Sequence, residues 1–491
     1  MNILSFCRIV LSLALFTCLW ASEIVFMDGR TMPGEVLSED DTTIELALRD
    51  GRQTITMRMP KARVHAIRDG EDERIITARP TAAPRQPAAR RRPEPEPEPE
   101  PEPGPRFMAF RGNHFGVFDD VQPPTRLAED HGRVWSLPLS GGRSNASPVI
   151  NGDLVFCMAE PHHLVAVDKR TGEERWRASN SLSDAGSNEE PHSPSWISTY
   201  GWTCPTPVTK GDWIWVALGN GVVAGYTTSG QRRWIHAVPV SGRHHGTSPS
   251  PCLIDDVLVT YTTSGSNGNY YGFNAISGQR LWSTRSAITQ GSLVPITIGG
   301  RNYALSSGGV LIDHRNGNVV VQARDIFKHR DDDGHLGHNW GATVVVDGTI
   351  AYFSNHTADT TRTLMVAVDF ANLQQPQIIW HSPTGDRIGA SHIVHQGQIY
   401  LAGGRSLDAA TGASIYEGMA GRANYSSLAL AGGLLFQFGN REVTIWRPGR
   451  QYQELGRFRH GLNDFIASPV FDGRVIYFRD SHGLHCIGPL R

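Results

Sequence analysis

The chain is poor in cysteine, nearly neutral, and without a dominant helix-period segment. It has six cysteines in 491 residues and no CxxC, CxxCH or vicinal Cys-Cys, which argues against a structural metal–thiolate site and covalent haem attachment. A net charge of −2 gives no general attraction to nucleic acid or anionic membrane. HExxH, HxxxH and GxSxG are absent, and no Gly-rich phosphate loop follows a strand and opens a helix. Zinc-protease, α/β-hydrolase and nucleotide-loop chemistry therefore have no sequence support. No long apolar run exists beyond Ile9 to Trp20, which is short for a membrane span. Arg8 before that run and Ala21 after it mark residues 1–22 as a signal peptide. The residues before Cys18 fit a lipoprotein signal poorly, so no lipid anchor is expected. Once the signal is removed, Cys157, Cys204, Cys252 and Cys486 remain. Their even number permits disulfides in an exported protein, and buried free thiols are the favoured reading.

What the chain has is turns, with 52 glycines and 30 prolines. Residues 23–78 alternate with period two over about five short strands, with Asp28-Gly29 and Asp50-Gly51 as hairpin turns. The layout is similar to SH3-like or Sm-like barrels. No interleaved aromatic and basic patch accompanies it, so an adaptor role is expected and nucleic-acid binding is not. Residues 79–106 are Pro-, Ala- and Glu-rich, with strict Pro-Glu alternation from Pro93 to Pro103. Such a stretch cannot bury a core, and a disordered, extended linker reaching roughly 80 Å is expected.

The large domain, residues 107–491, is organised by a recurring hairpin. Ala166-Val-Asp168-Lys-Arg-Thr171-Gly172 leads to Trp176, and the frame returns at Thr227 to Trp234 and at Asn274 to Trp282. Worn copies follow at Asp313 to Gly317, Asp369 to Trp380 and Asp408 to Tyr416. Each hairpin is preceded by an opening strand such as Ser147-Pro148-Val149, Thr206-Pro207-Val208 or Ser468-Pro469-Val470. Eight openings divide residues 133–491 into units of about 45, the length of one four-stranded propeller blade. The last unit lacks a terminal Trp strand, and Val134-Trp135 is expected to supply it and close the ring.

The Asp-x-x-Thr-Gly-x-x-x-Trp frame resembles the pyrroloquinoline quinone (PQQ)-like β-propeller repeat. The FRG…G…P…W…SPV…G order at 110–152 is similar to exported bacterial PQQ-like, BamB-like proteins. The resemblance implies an all-β fold, an eight-bladed PQQ-like β-propeller behind the small domain and linker. It implies no single function, because the repeat serves both dehydrogenases and non-catalytic propellers.

Trp135, Trp176, Trp234, Trp282 and Trp380 are expected to dock neighbouring blades, each burying ~200 Å². The connections from one blade's last strand to the next blade's first hold nine of the 20 histidines, His236 and His381 among them. They make one face a candidate ligand-binding mouth: His192, Trp196, Trp202, His245, His338, Asn339, Trp340 and His460. The mouth has three open readings, namely a small ligand, a macromolecular partner or no defined site. No catalytic residue and no metal ligand set is expected. PQQ with calcium is an alternative cofactor, but the vicinal cysteines of many such enzymes are missing and no acidic ligand set aligns. The expected function is a non-catalytic envelope scaffold, periplasmic or at the cell surface, binding a protein, peptide or envelope polymer. A quinoprotein oxidoreductase and a glycan-binding propeller are the alternatives.

Overall fold

The computed structural model describes residues 22–26, 30–50, 53–69, 72–77, 107–126, 132–139, 144–187, 201–240, 248–264, 267–327, 336–337, 341–357, 363–385, 389–418, 420, 426–439, 442–459 and 467–489. The leader, save its last residue, and the linker lie outside them. The chain divides into two compact units, Met1–Glu100 and Pro101–Arg491.

In the first unit, six strands form one antiparallel sheet: Ser22–Phe26, Thr31–Glu39, Thr43–Asp50, Gln53–Pro60, Val64–Asp69 and Asp72–Ile75. Their spatial order is fourth, third, second, first, fifth, sixth. The alternation at 44–48 works as read, because Ile44, Leu46 and Leu48 join Ile24, Val64 and Ile67 in the core.

The second unit contains eight antiparallel blades, which we number 1 to 8 from residue 149. They span residues 149–179, 208–237, 252–287, 294–321, 345–385, 393–416, 429–459 and 470–487. Middle strands are covered on both faces by neighbouring blades and read as unbroken apolar runs, as at Leu154–Ala159. Outermost strands are half-solvated and can alternate, as at Arg280–Ala287.

The repeat tryptophans seat one blade on the next. A Cβ added to Gly172 of blade 1 would lie 2.6 Å from the Trp135 ring, and one at Gly317 of blade 4 would lie 2.6 Å from the Trp282 ring. Gly230, Gly278 and Gly412 stand in the same way against Trp176, Trp234 and Trp380. Each indole Nε1 also donates to a carbonyl of the turn it covers. The acceptors are Lys169 (3.0 Å), Thr228 (3.0 Å), Ala275 (2.9 Å), His314 (2.7 Å) and Ala409 (3.0 Å). The turn is held from within: Asp168 Oδ1 accepts the N–H groups of Arg170 and Thr171, both at 2.9 Å. Asp408 does the same for Ala410 and Thr411. All five glycines have positive φ, where an L side chain is strained.

Where the repeat Trp is missing, phenylalanines meet instead. Phe327 meets Phe353 at 5.3 Å between blades 4 and 5, and Phe436 meets Phe471 at 5.0 Å between blades 7 and 8.

Two N-terminal segments tie the ring together. Arg133–Pro138 pairs antiparallel with Gly483–Ile487 as the fourth strand of blade 8, as the missing Trp strand implies. Ahead of it, Phe107–Met108 adds a fifth strand inside blade 2, and Val117–Phe118 pairs parallel with Ala429–Ala431 of blade 7. Residues 107–118 thus form a strap between blades 2 and 7. His114 of the strap lies 3.9 Å from Cys252 of blade 3.

At the closure, Ser136 Oγ lies 2.9 Å from His485 Nδ1, and His485 Nε2 lies 3.0 Å from Asp480 Oδ1 without hydrogen-bond alignment. Burial pushes the Asp480 carboxyl up. His485 and the N–H groups of His482 and Gly483 outweigh this and hold it down, to about 2.

The seat gives a paired test. Gly172→Ala is expected to cost about 2–4 kcal/mol, adding overpacking on Trp135 to left-handed strain. Gly152→Ala, also at positive φ but with open space around it, is expected to cost only about 1–2 kcal/mol; urea unfolding compares the two. The closure gives another. A depressed carboxyl stabilises fully above its unfolded value, and that stability fades as pH falls through the folded value. Asp480→Asn should therefore be less stable than the parent at pH 7, and the gap in urea midpoint should narrow between about pH 4 and pH 2.

Candidate functional site

A serine or threonine stands just before the innermost strand of every blade: Ser147, Thr206, Ser250, Ser292, Thr343, Ser391, Ser427 and Ser468. From Ser147 to Ser427, the backbone N–H of each donates to the hydroxyl of the next. The seven links measure 3.0 Å from Ser147, Thr206, Ser250, Ser292 and Ser391, 2.9 Å from Thr343 and 3.1 Å from Ser427. Ser147 Oγ, at the junction of blades 8 and 1, is buried and unpartnered. A first residue of an inner strand has no ladder partner on its axial side, and the neighbouring hydroxyl answers that donor.

This hydroxyl ring surrounds an axial cavity of about 110 Å³. Ser250, Ser292, Thr343, Ser391, Ser427 and Ser468 line it, with Phe110 of the strap. Asn145, Cys204, Ser248 and Gln290 complete the polar wall. All four lie in segments leading into an innermost strand, on the face where blade connections gather. Ser248 Oγ donates to Gln290 Oε1 at 2.7 Å. The segment presenting Cys204 is anchored by buried Glu160, which accepts the N–H groups of Trp202 (3.1 Å) and Thr203 (2.8 Å) and the Thr203 hydroxyl. Burial pushes the Glu160 carboxyl up against these bonds and raises the Cys204 thiol to about 12.

Of the eight residues expected at the mouth, only Trp202 lies among the described residues. It is 8% exposed, so its indole is no open platform. His192, Trp196, His245, His338, Asn339, Trp340 and His460 fall outside the described residues. Two other histidines counted with the connections belong to strands. His236 lies within Arg232–Ala237 and stacks on Phe273 at 5.7 Å, and His381 lies within Gln377–Gly385. The outer strands run several residues past their Trp. Sequence reading missed Phe110, Asn145, Cys204, Ser248 and Gln290. The recurring Ser/Thr before each opening strand was the available signal.

Cys157, Cys252 and Cys486 are buried, and all four described cysteines are free thiols. No described residue of the cavity wall is a carboxylate. Among the described residues, no group of three or more His, Cys, Asp and Glu could hold a metal ion. The volume is below the ~300–1,000 Å³ of typical cofactor pockets. The described wall does not fit a quinone with its calcium ion, and we derive no step through that pair.

Ser250→Ala would leave the buried Thr206 N–H unanswered at an expected cost of about 1–3 kcal/mol. Ser250→Thr should restore most of it, since Thr206 and Thr343 fill equivalent places. Urea midpoints of both variants check this.

Comparison with known proteins agrees with the geometry. A family model described as outer membrane protein assembly factor BamB matches residues 101–196 and 192–416. No curated protein matches. Among solved structures, the quinohemoprotein alcohol dehydrogenase from Comamonas testosteroni is 11% identical, with 77% of this chain and 79% of that one covered, at a TM-score of 0.53. BamB from Moraxella catarrhalis is 13% identical, with 74% and 96% covered, at a TM-score of 0.36. At 11% identity the likeness to the dehydrogenase speaks to the fold alone. With eight blades, five Trp-seated junctions and a family match across most of the propeller, the chain belongs to the BamB-like family of PQQ-like β-propellers.

Proposed function

We propose that this protein is a non-catalytic binding or assembly scaffold of the bacterial envelope, gripping a protein, peptide or envelope polymer at its axial face. The observation that carries the reading is the chemistry of the described cavity wall: hydroxyls, amides, one thiol and a phenyl ring. Such a wall offers hydrogen bonds and contact area. It offers no general base and no ionised nucleophile, since burial keeps the Cys204 thiol protonated. The family match favours the same reading, and the signal-like N-terminus supports export to the periplasm or cell surface as part of it. Among the described residues, no helix is long and apolar enough to cross a membrane. The small sheet unit, joined through the Pro-Glu spacer, serves as a second contact. The buried indole of Trp202 removes one of the three platforms that a glycan-binding mouth would use.

Calorimetric titration of the full chain with PQQ, with and without calcium, tests the reading. No heat of binding well above micromolar cofactor is the expected result. Tight one-to-one binding that requires calcium would overturn the scaffold assignment in favour of an oxidoreductase. Photocrosslinking from Ser248 or Gln290 in cells should then yield a discrete adduct under the scaffold reading.

A further inference from the structure

Beneath the axial cavity lies a buried charge that no described group neutralises. Arg111 of the strap is 1% exposed. Its Nη2 donates to the carbonyls of His392 and Leu428, both at 2.9 Å. Nε and Nη1 are buried without a partner, and no described carboxylate forms an ion pair with it. Burial alone moves its pKa, down to about 9, which leaves the guanidinium charged at neutral pH. His392 beside it is also 1% exposed, with both ring nitrogens unpartnered. Burial and the Arg111 charge lower it to about 3, so it supplies no compensating charge.

The chain is shaped to hold this charge in place. Arg111 has φ +54° and His114 φ +75°, left-handed values that non-glycine residues adopt at a cost. A Cβ on Gly116 would lie 2.5 Å from Arg111 Nη2 and 2.9 Å from its Cζ, so only glycine lets the guanidinium lie flat there. The placement relative to the cavity follows from the neighbours. Phe110 lines the cavity, and so do Ser391 and Ser427. The two carbonyls that Arg111 holds belong to the residues immediately after those serines. The guanidinium therefore sits about one residue below the cavity wall, on the far side of the hydroxyl ring from the mouth. Glu160, behind Cys204, has Arg479 as its own cationic neighbour.

We propose that the axial cavity is a site for a carboxylate end group, seated among the ring hydroxyls above Arg111. This rests on the binding reading given above and names the chemistry that the site selects. The hydroxyls and the Asn145 amide supply hydrogen bonds of either sense, while Arg111 supplies the sign. A carboxylate about 6 Å from the guanidinium, at an effective dielectric near 20, gains on the order of 100-fold over its neutral amide before its own desolvation is charged against it. A net preference of about tenfold is expected after that charge. The carboxylate could come from a free small acid or from the C-terminus of a chain, and a cavity of about 110 Å³ admits one end group of either.

Cys204 on the wall is the reporter. Burial keeps its thiol mostly protonated, and only the thiolate reacts. The full chain is therefore incubated for hours at pH 8 with excess iodoacetamide, a neutral reagent. The slow Cys204 modification, first established in the ligand-free chain, is followed by peptide mass spectrometry. Protection is compared between propionate and propionamide, and between N-acetyl-glycyl-alanine and its amide, up to tens of millimolar. About tenfold better protection by the acids is expected. Stronger protection by the dipeptide acid than by propionate assigns the site to a chain terminus, and the reverse assigns it to a free acid. Equal protection by acid and amide, or none by either, overturns the proposal. Arg111→Lys should keep the acid preference and Arg111→Met should lose it. Should Arg111→Met fail to fold, the parent comparison decides alone. Calcium-dependent quinone binding would sink the scaffold reading without touching this assay. Lack of acid preference would sink the carboxylate proposal without touching the scaffold reading.

Discussion

Everything in the propeller depends on one contact, an indole laid across a glycine. A blade of three or four short strands cannot bury both of its faces alone, so the spacing between blades must be set by something rigid. The indole does this in two ways. Its ring fills the space a side chain at the turn would occupy, and its Nε1 fixes the lateral position by bonding a turn carbonyl, as Trp282 does to His314. The acceptor lies in a turn already held by an Asp, Asn or Thr side chain, so the seat is preorganised before the next blade arrives. Five junctions use this device. The others rely on phenylalanine pairs or clustered aromatics, which give area without the directional bond.

Regular seating has an effect at the axis. Once eight blades stand at fixed spacing, the eight residues that enter the innermost strands form a circle. Each brings a backbone donor with no ladder partner, and at seven of the eight junctions a hydroxyl on the adjacent blade meets it. Scaffold and site are therefore not separable here. The groups that line the cavity are the same groups that satisfy the inner rim, and the strap that floors the cavity is pinned to the rim by Arg111.

The sequence displayed the blades clearly because their signal is local and repeated. Asp168, Thr171, Gly172 and Trp176 sit within nine positions, and each later copy confirms the period. Ring closure was legible by subtraction, since Val475 to Ile487 has no following Trp strand and Trp135 precedes any hairpin of its own. The site was much harder to see. Ser250 or Ser391 looks like any strand opener, because nothing in alternation reveals a bond to the neighbouring blade. Arg111 looked like part of a family resemblance, and its burial depends on carbonyls that lie 281 and 317 residues away. Counting histidines in the connections mistook strand residues for loop residues. His236 and His381 follow their tryptophans closely, and the outer strands do not stop there.

The strap and the closing strand share a further property. Both lie at the start of the large domain, yet their partners are in blades 7 and 8, the last to be made. Val117 and Phe118 wait for Leu430 and Ala431, and Trp135 waits for Cys486. A growing chain therefore carries unpaired strands from the moment residues 107–138 appear until blades 7 and 8 are made. Loop closure on this scale is slow, and exposed strand edges invite association meanwhile. The fold is in this sense all-or-none in time: seven blades can stack as they emerge, but none of them has an axis to enclose until blade 8 joins Arg133–Pro138.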